Sequence, residues 1–317
     1  MNPIPLVEIE KAQERIKGAA IRTPLIRLNV DDAPAEIYLK LENLQPIGSF
    51  KIRGAVNAIR QADPALLEKG VWTASAGNMA QGVAWCARTF NIKCTVVVPD
   101  HAPEAKLDAM RRLGASFIKV PFTEWFDIIL SNTYEGMEGL FIHPVSDPAV
   151  IAGNGTIGLE IMEDLPDVTT VIMPYGGGGL SCGIASAFRG RNSVAKLYAC
   201  EVDTAAPLAG ALQADEPVEV PYTKTFIDGM GGLTVLPTMW PLARNLLNGS
   251  LVTTVADTAA ALKFMAERNR IIAEGAGAAP VAVALSGLAG SGKIVCVVSG
   301  GNIDLDKLVT ILQGGVP

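Results

Sequence analysis

A lone lysine, Lys51, stands in the apolar, glycine-flanked run Gly48-Ser49-Phe50-Lys51-Ile52-Arg53-Gly54. An amine condenses with an aldehyde only when unprotonated, so such a lysine needs its pKa brought down from about 10.4 by burial or by neighbouring positive charge. Its apolar setting supplies burial. A solvated lysine opening a helix is the commoner reading of such a residue, and further motifs decide against it.

After the strand-like run Gly70-Val71-Trp72-Thr73-Ala74 comes Ser75-Ala76-Gly77-Asn78-Met79-Ala80-Gln81-Gly82, followed by the helical Val83-Ala84-Trp85-Cys86-Ala87-Arg88. This reads as a helix N-terminus, where Ser and Asn can cap and where free backbone N–H groups and the helix dipole hold a carboxylate, such as that of an amino acid. Pro174-Tyr175-Gly176-Gly177-Gly178-Gly179-Leu180-Ser181 joins another buried strand to a helix, and its four consecutive glycines let the backbone wrap an anion, for which phosphate is the natural guest. The loop lacks the Gly-Lys-Ser/Thr ending of a nucleotide P-loop. A dinucleotide stays open as an alternative: Glu201 ends the next strand about 20 residues on, as a ribose-binding acid does, although Ser181 stands where GxGxxG has its last glycine. Val298-Ser299-Gly300-Gly301-Asn302 closes the last apolar run, at the strand end where open α/β sheets hold ligands, and a hydroxyl there can meet a ring nitrogen; a tight turn is the plainer reading. A reactive lysine, a phosphate cup, a carboxylate-binding helix start and a ring-nitrogen hydroxyl together make a site for pyridoxal 5′-phosphate and an amino acid.

Positioning these loops takes a large frame. The 317 residues exceed the usual size of one compact domain, which implies two domains around a shared cleft. A chain that is 49% hydrophobic and 18% charged, with 32 Gly, has the composition of an α/β enzyme rather than of a disordered or fibrous protein. Apolar β-branched runs alternate with helical stretches: residues 94–98, a helix near 104–113, then 116–120, and again 170–173, 196–200 and 293–298. These runs are apolar enough to be covered on both faces, so two open, twisted, mostly parallel sheets with covering helices are expected. A net charge of −6 and no basic run argue against a nucleic-acid partner or an anionic membrane. The N-terminus lacks the regions of a secretory signal and no segment is long and apolar enough to span a bilayer, so a cytoplasmic protein is expected. The 5 Cys are scattered and never form CxxC, which points to reduced core residues rather than disulfides or zinc. With only 2 His, there is no His-rich metal centre and little basis for a Ser-His-Asp triad; His143, before Pro144, reads as structural.

On these motifs the chain resembles the fold-type II pyridoxal-phosphate enzymes (tryptophan synthase β-like), specifically the threonine dehydratase and serine racemase family, over nearly its whole length. Lys40-Leu41-Glu42-Asn43-Leu44-Gln45-Pro46-Ile47-Gly48-Ser49-Phe50-Lys51 matches that family's lysine motif, and Ala149-Val150-Ile151-Ala152-Gly153-Asn154-Gly155-Thr156 resembles its crossover into the large domain. The resemblance implies that Lys51 carries the cofactor as a Schiff base and later acts as base at Cα. It places Phe50 near the ring, Asn78 on the ring oxygen, Gly176, Gly177, Gly178, Gly179 and Leu180 on the phosphate, and Ser299 on the pyridine nitrogen. Ser75, Ala76, Gly77, Asn78 and Met79 fall to the substrate. It also implies a homodimer whose large cofactor-binding domain comprises residues 1–66 and 148–317, with a small mobile domain at 67–147. With Pro317 soon after the Ser299 motif, the C-terminal regulatory domain of biosynthetic threonine dehydratases is not expected.

The activity so implied is elimination of water and ammonia from a β-hydroxy amino acid such as threonine, serine or an aryl-serine, giving a 2-oxo acid. A serine hydroxyl cannot protonate the pyridine, so the ring is a weaker electron sink and loss of a β-substituent competes well; the bound phosphate is the expected proton source for the leaving hydroxyl. Racemases of the family usually carry a serine where this chain has Ala76, and a methyl cannot deliver a proton, so a serine-racemase-like activity is the second reading and hydroxyaspartate dehydration another. Met79 stands where a histidine is usual and adds adaptable apolar volume, which favours a bulkier substrate. Some members bind Mg²⁺ or Ca²⁺ beside the phosphate loop; Glu201 and Ala205 match two of those ligands, while Pro207 stands near the expected aspartate. More distant alternatives are an NAD-dependent oxidoreductase, which leaves Lys51 and Ser299 without a role, and a non-catalytic protein that merely retains the cofactor.

Overall fold

Strands that lie between two layers of helix must be apolar on both faces, and the computed structural model, which describes residues 1–317 with the side chain of Ala105 excepted, has that construction twice. The first part of the chain runs α1 (Leu6–Arg15), β1 (Leu25–Arg27), β2 (Glu36–Leu41), α2 (Lys51–Gln61) and α3 (Pro64–Glu68). Then follow β3 (Val71–Ala74), α4 (Asn78–Phe90), β4 (Cys94–Pro99), α5 (Glu104–Arg112), β5 (Ser116–Val120), α6 (Phe122–Ser131) and β6 (Leu140–Phe141). The remainder is α7 (Pro148–Asp164), β7 (Thr170–Pro174), α8 (Gly179–Gly190), β8 (Lys196–Val202), α9 (Pro207–Ala214), α10 (Trp240–Leu246), β9 (Gly249–Thr253), α11 (Val255–Asn269), α12 (Gly275–Ser286), β10 (Lys293–Val298) and α13 (Leu305–Leu312).

A 6-stranded sheet has the order β1-β2-β10-β7-β8-β9, and a 4-stranded sheet the order β5-β4-β3-β6. All pairings are parallel except β1 with β2. The expected strands appear where the apolar runs placed them, and the central β7 is buried at every residue. The smaller sheet is made wholly from the stretch between β3 and β6; the larger one takes its strands from either side of it. One apolar cluster packs α7, α8 and α10 on the large sheet, and another packs α11 and α12. The small sheet is covered by α4 and α5 on one side and by α6 on the other. All five cysteines are free and buried, as their spacing implied. Among the described residues no helix is long and apolar enough to cross a membrane.

The helix that starts at Lys51 is seated by backbone contact. A Cβ on Gly153 of α7 would lie 2.5 Å from the carbonyl of Arg53, and one on Gly183 of α8 would lie 2.5 Å from that of Ile151. Hydrogen in place of a side chain therefore brings α2, α7 and α8 together at van der Waals distance. A charge network beneath them adds directional restraint. Arg53, fully buried, donates to both Glu42 oxygens at 2.8 Å and to Glu160 at 2.6 and 2.9 Å. Lys40 meets Glu160 at 2.6 Å and the Thr23 carbonyl at 2.7 Å. Burial pushes the Glu42 carboxyl up, but the Arg53 charge and hydrogen bonds outweigh it and hold the pKa below its ordinary value.

Candidate active site

Lys51 is the first residue of α2, and the loop before it is sewn to the loop after β10. The Phe50 N–H donates to the Ser299 carbonyl at 3.0 Å and the Gly301 N–H to the Gly48 carbonyl at 2.8 Å, with a bridge between Ser49 and Gly300. Gly48 takes φ +70°, and a Cβ there would lie 2.6 Å from Asn302 Oδ1, so only glycine fits this crossing. The lysine thus comes to the carboxyl end of the sheet beside Ser299. Its Nζ donates to the Pro144 carbonyl at 2.7 Å and lies 5.2 Å from the Phe50 ring centroid. Burial pulls its pKa down to about 8, against the nearby charge of Glu274.

The other expected loops converge on the same place. A cleft of about 340 Å³ is lined by Lys51, Phe50, Ser299, Gly176, Gly177, Gly178, Gly179 and Leu180, and by Ser75, Ala76, Gly77, Asn78 and Met79. Helix α4 begins at Asn78 with Gly77 as its N-cap and without a side-chain cap, so capping by Ser or Asn, the plainer expectation, does not occur. Ser75 Oγ instead accepts from the Gly77 N–H at 3.3 Å. In the glycine loop, among the described residues, the N–H groups of Gly176, Gly177, Gly178, Gly179, Leu180 and Ser181 donate to no protein acceptor. Valine 145 packs on this loop: a Cβ on Gly177 would come within 2.4 Å of its Cγ2, and one on Gly179 within 2.6 Å of its carbonyl.

Sequence reasoning missed one residue at the centre of the cleft. Glu274, the N-cap residue of α12, is 5% exposed. Asn78 Nδ2 donates to both of its oxygens, at 2.9 and 3.1 Å, while Asn302 Nδ2 donates to Asn78 Oδ1 at 2.8 Å. The Asn78 amide is therefore fixed in orientation from both ends. Burial pushes the Glu274 carboxyl up to about 7, opposed by the Asn78 hydrogen bond, while Asp228 raises it and Lys106 and Lys51 lower it. Lys106 of α5 and Asp228 form an ion pair of 2.6 Å at the cleft mouth.

Residues 16–300 match the family described as pyridoxal-phosphate dependent enzyme. The chain belongs to that family. It is 39% identical over 318 residues to an L-threonine ammonia-lyase of Thermotoga maritima, covering 99% of this chain and 79% of the relative. Among solved structures, maize serine racemase superposes with a TM-score of 0.90 at 31% identity, covering 98% of each chain. The processed form of threonine deaminase isoform 2 from Solanum lycopersicum superposes with a TM-score of 0.86 at 31% identity, covering 98% of this chain and 86% of that one. The two sheets are those of the fold-type II pyridoxal-phosphate enzymes, as the motifs implied, and the dinucleotide reading of the glycine loop falls.

The residues present fit pyridoxal phosphate. The row of unpaired N–H groups at the start of α8 is an anion cradle open to the cleft. Across the same space stand the amine of Lys51, already brought towards its neutral form, and the Ser299 hydroxyl. His143 is excluded from proton transfer: it is 5% exposed, its Nε2 meets the Ile129 carbonyl at 3.0 Å, and its Nδ1 accepts from the N–H groups of Val145 and Ser146 at 3.0 and 2.9 Å. Burial lowers its pKa to about 4, so near neutrality it is an uncharged brace for the Pro144–Val145 turn that receives Lys51.

The Mg²⁺ or Ca²⁺ expected at Glu201 and Ala205 finds no ligand set. Glu201 Oε1 accepts from the Leu208 N–H at 2.8 Å, and Oε2 from the Ala209 N–H at 2.8 Å and Ser250 Oγ at 2.6 Å. Both oxygens are thus spent on capping α9 and tying it to β9, and Glu201 and Ala205 lie outside the residues that line the cleft. Asp203 is exposed, and among the described residues no group of three or more potential ligating side chains is present.

Proposed function

We propose that this enzyme eliminates water and then ammonia from a β-hydroxy amino acid, as an ammonia-lyase of the threonine dehydratase kind. Pyridoxal phosphate, when bound, makes the substrate Cα–H acidic by drawing electrons away from that carbon. Lys51 Nζ is the residue to tether it and, once free, to take the Cα proton, for which an amine brought down to about 8 by burial is well matched. The N–H groups of residues 176–180 would hold the phosphate, and the Ser299 hydroxyl would serve the ring nitrogen. Asn78, which the resemblance assigns to the ring oxygen, would share its Nδ2 between that oxygen and Glu274, with Asn302 held on its Oδ1. The start of α4, with Ser75, Ala76, Gly77, Asn78 and Met79, receives the substrate carboxylate.

The convergence of Lys51, Ser299, the unpaired glycine-loop N–H groups and the uncapped start of α4 on one cleft carries this reading. Elimination is favoured over racemisation because Ala76 offers only a methyl where a second acid–base group is needed, and His143 has both ring nitrogens engaged. A second carboxylate on the substrate, as in hydroxyaspartate, would need a free cation, whereas Lys106 is already paired with Asp228. The resemblance further supports a cytoplasmic homodimer in which residues 67–147, carrying the small sheet, move against residues 1–66 and 148–317 to close the cleft.

The test is 2-oxo acid and ammonia release from threonine, serine and phenylserine by holoenzyme and by Lys51→Ala, with cofactor absorbance followed alongside. Stoichiometric product from the wild type and none from the variant are expected. Rapid interconversion of D- and L-serine without 2-oxo acid would overturn the reading in favour of a racemase.

A further inference from the structure

We infer that Phe122 and Trp125, in the first turn of α6, form an aromatic wall that selects the substrate's β-substituent, so that aryl-bearing β-hydroxy amino acids are preferred to threonine and serine. This inference rests on the lyase reading of the same cleft and names the substrate class within it.

Both residues line the cleft that holds Lys51 and the start of α4. The ring centroids of Phe122 and Trp125 are 5.8 Å apart and 29° from coplanar, and Phe126 continues the stack at 6.3 Å and 16° from Phe122. These contacts fix the rings as a surface. Phe122 is nonetheless 48% exposed, a large apolar area left open at the mouth of a binding cleft. Trp125 Nε1 is buried and has no hydrogen-bond partner. Pro99, Pro144, Val145 and Met79 complete an apolar lining. The charged groups of the cleft other than Lys51 do not compete for a polar substituent: Lys106 and Asp228 satisfy each other at 2.6 Å, and Glu274 repels acids. The hydroxymethyl of serine or the hydroxyethyl of threonine leaves this wall bare; a phenyl ring covers it.

The measurement is kcat/KM of holoenzyme for phenylserine, threonine and serine, in the wild type and in Trp125→Ala, Phe122→Ala and Trp125→Phe. The wild type is expected to favour phenylserine over threonine by roughly tenfold, the worth of one or two aromatic contacts. Trp125→Ala and Phe122→Ala should lower that ratio by about the same factor, through KM more than kcat, and Trp125→Phe, which keeps a ring, should retain most of it. A second arm needs no turnover: L-phenylalanine, which lacks the β-hydroxyl, should bind more tightly than L-alanine and quench tryptophan fluorescence, and Trp125→Phe should abolish the quench. A threonine preference in the wild type, or equal loss for both substrates in Trp125→Ala, would overturn the inference while leaving the lyase standing. Absence of turnover with every amino acid would sink the lyase reading instead, and the binding arm would then decide: equal affinity for phenylalanine and alanine would overturn the wall, and Trp125-dependent tighter binding of phenylalanine would support it.

Discussion

Replacing Glu274 by glutamine should make the cofactor-free protein more stable, and increasingly so as pH rises. The carboxyl goes from an ordinary pKa of 4.5 to about 7 in the folded chain, with burial the largest cause. The folded state therefore holds this proton more tightly than the unfolded state does. Stability is highest where the group is protonated in both, falls between pH 4.5 and 7, and carries the full cost above 7. At about 1.4 kcal/mol per pKa unit, that cost is about 3 kcal/mol at pH 8 and about 1.4 kcal/mol at pH 5.5. Glutamine has nearly the same shape and no charge at either pH. Urea unfolding of the two cofactor-free proteins, followed by tryptophan fluorescence, should show the advantage of Glu274→Gln growing by about 2 kcal/mol between pH 5.5 and 8. A difference constant across that range would refute the claim that a buried, ionised carboxyl sits beside Lys51. Turnover should move the other way. Glutamine gives Asn78 one acceptor where glutamate gives two, and removes the charge that holds up the Lys51 pKa; a loss in kcat of roughly tenfold is expected for one charge-assisted hydrogen bond.

Further perturbations separate the cradle from the frame. Gly177→Ala puts a methyl within 2.4 Å of Val145 Cγ2, so cofactor titration should show affinity reduced at least about tenfold, and the further change Val145→Ala should recover most of it; no recovery would mean that the glycine serves backbone conformation rather than close approach. Arg53→Leu leaves Glu42 and Glu160 with Lys40 as their remaining cation. Removing one partner of a buried pair typically costs about 3–5 kcal/mol, so a urea midpoint corresponding to less than about 1 kcal/mol of loss would show that water or a shifted proton already neutralises the network.

What the sequence disclosed and what it concealed divide along a physical line. Lys51, Ser299, the four glycines and the start of α4 could be read because their chemistry is local: a residue type at a strand–helix junction, or backbone N–H groups that a helix start leaves free. The doubly covered strands could be read for a similar reason, since burial on both faces leaves a continuous apolar run. The short β1 and β6, with 3 and 2 residues, carry too little pattern to be seen before their neighbours are known. Glu201 was ambiguous between a ribose ligand and a cation ligand because its partners lie 7, 8 and 49 residues further on, and only the fold shows that the backbone of α9 reaches it first. Glu274 lies 196 residues from Asn78, in an Ala-Glu-Gly-Ala-Gly run that announces nothing but a flexible turn. Phe122 and Trp125 drew no notice in the sequence, because α6 has the ordinary composition of a covering helix, and its Ile128 and Ile129 are buried in the core. What distinguishes the first turn is that Phe122 and Trp125 line the cleft. A side chain that acts by closing a pocket has no local signature, because the pocket exists only once both sheets are in place. The reactive group of this enzyme is therefore written in short motifs, while its choice of substrate depends on residues that only the assembled cleft reveals.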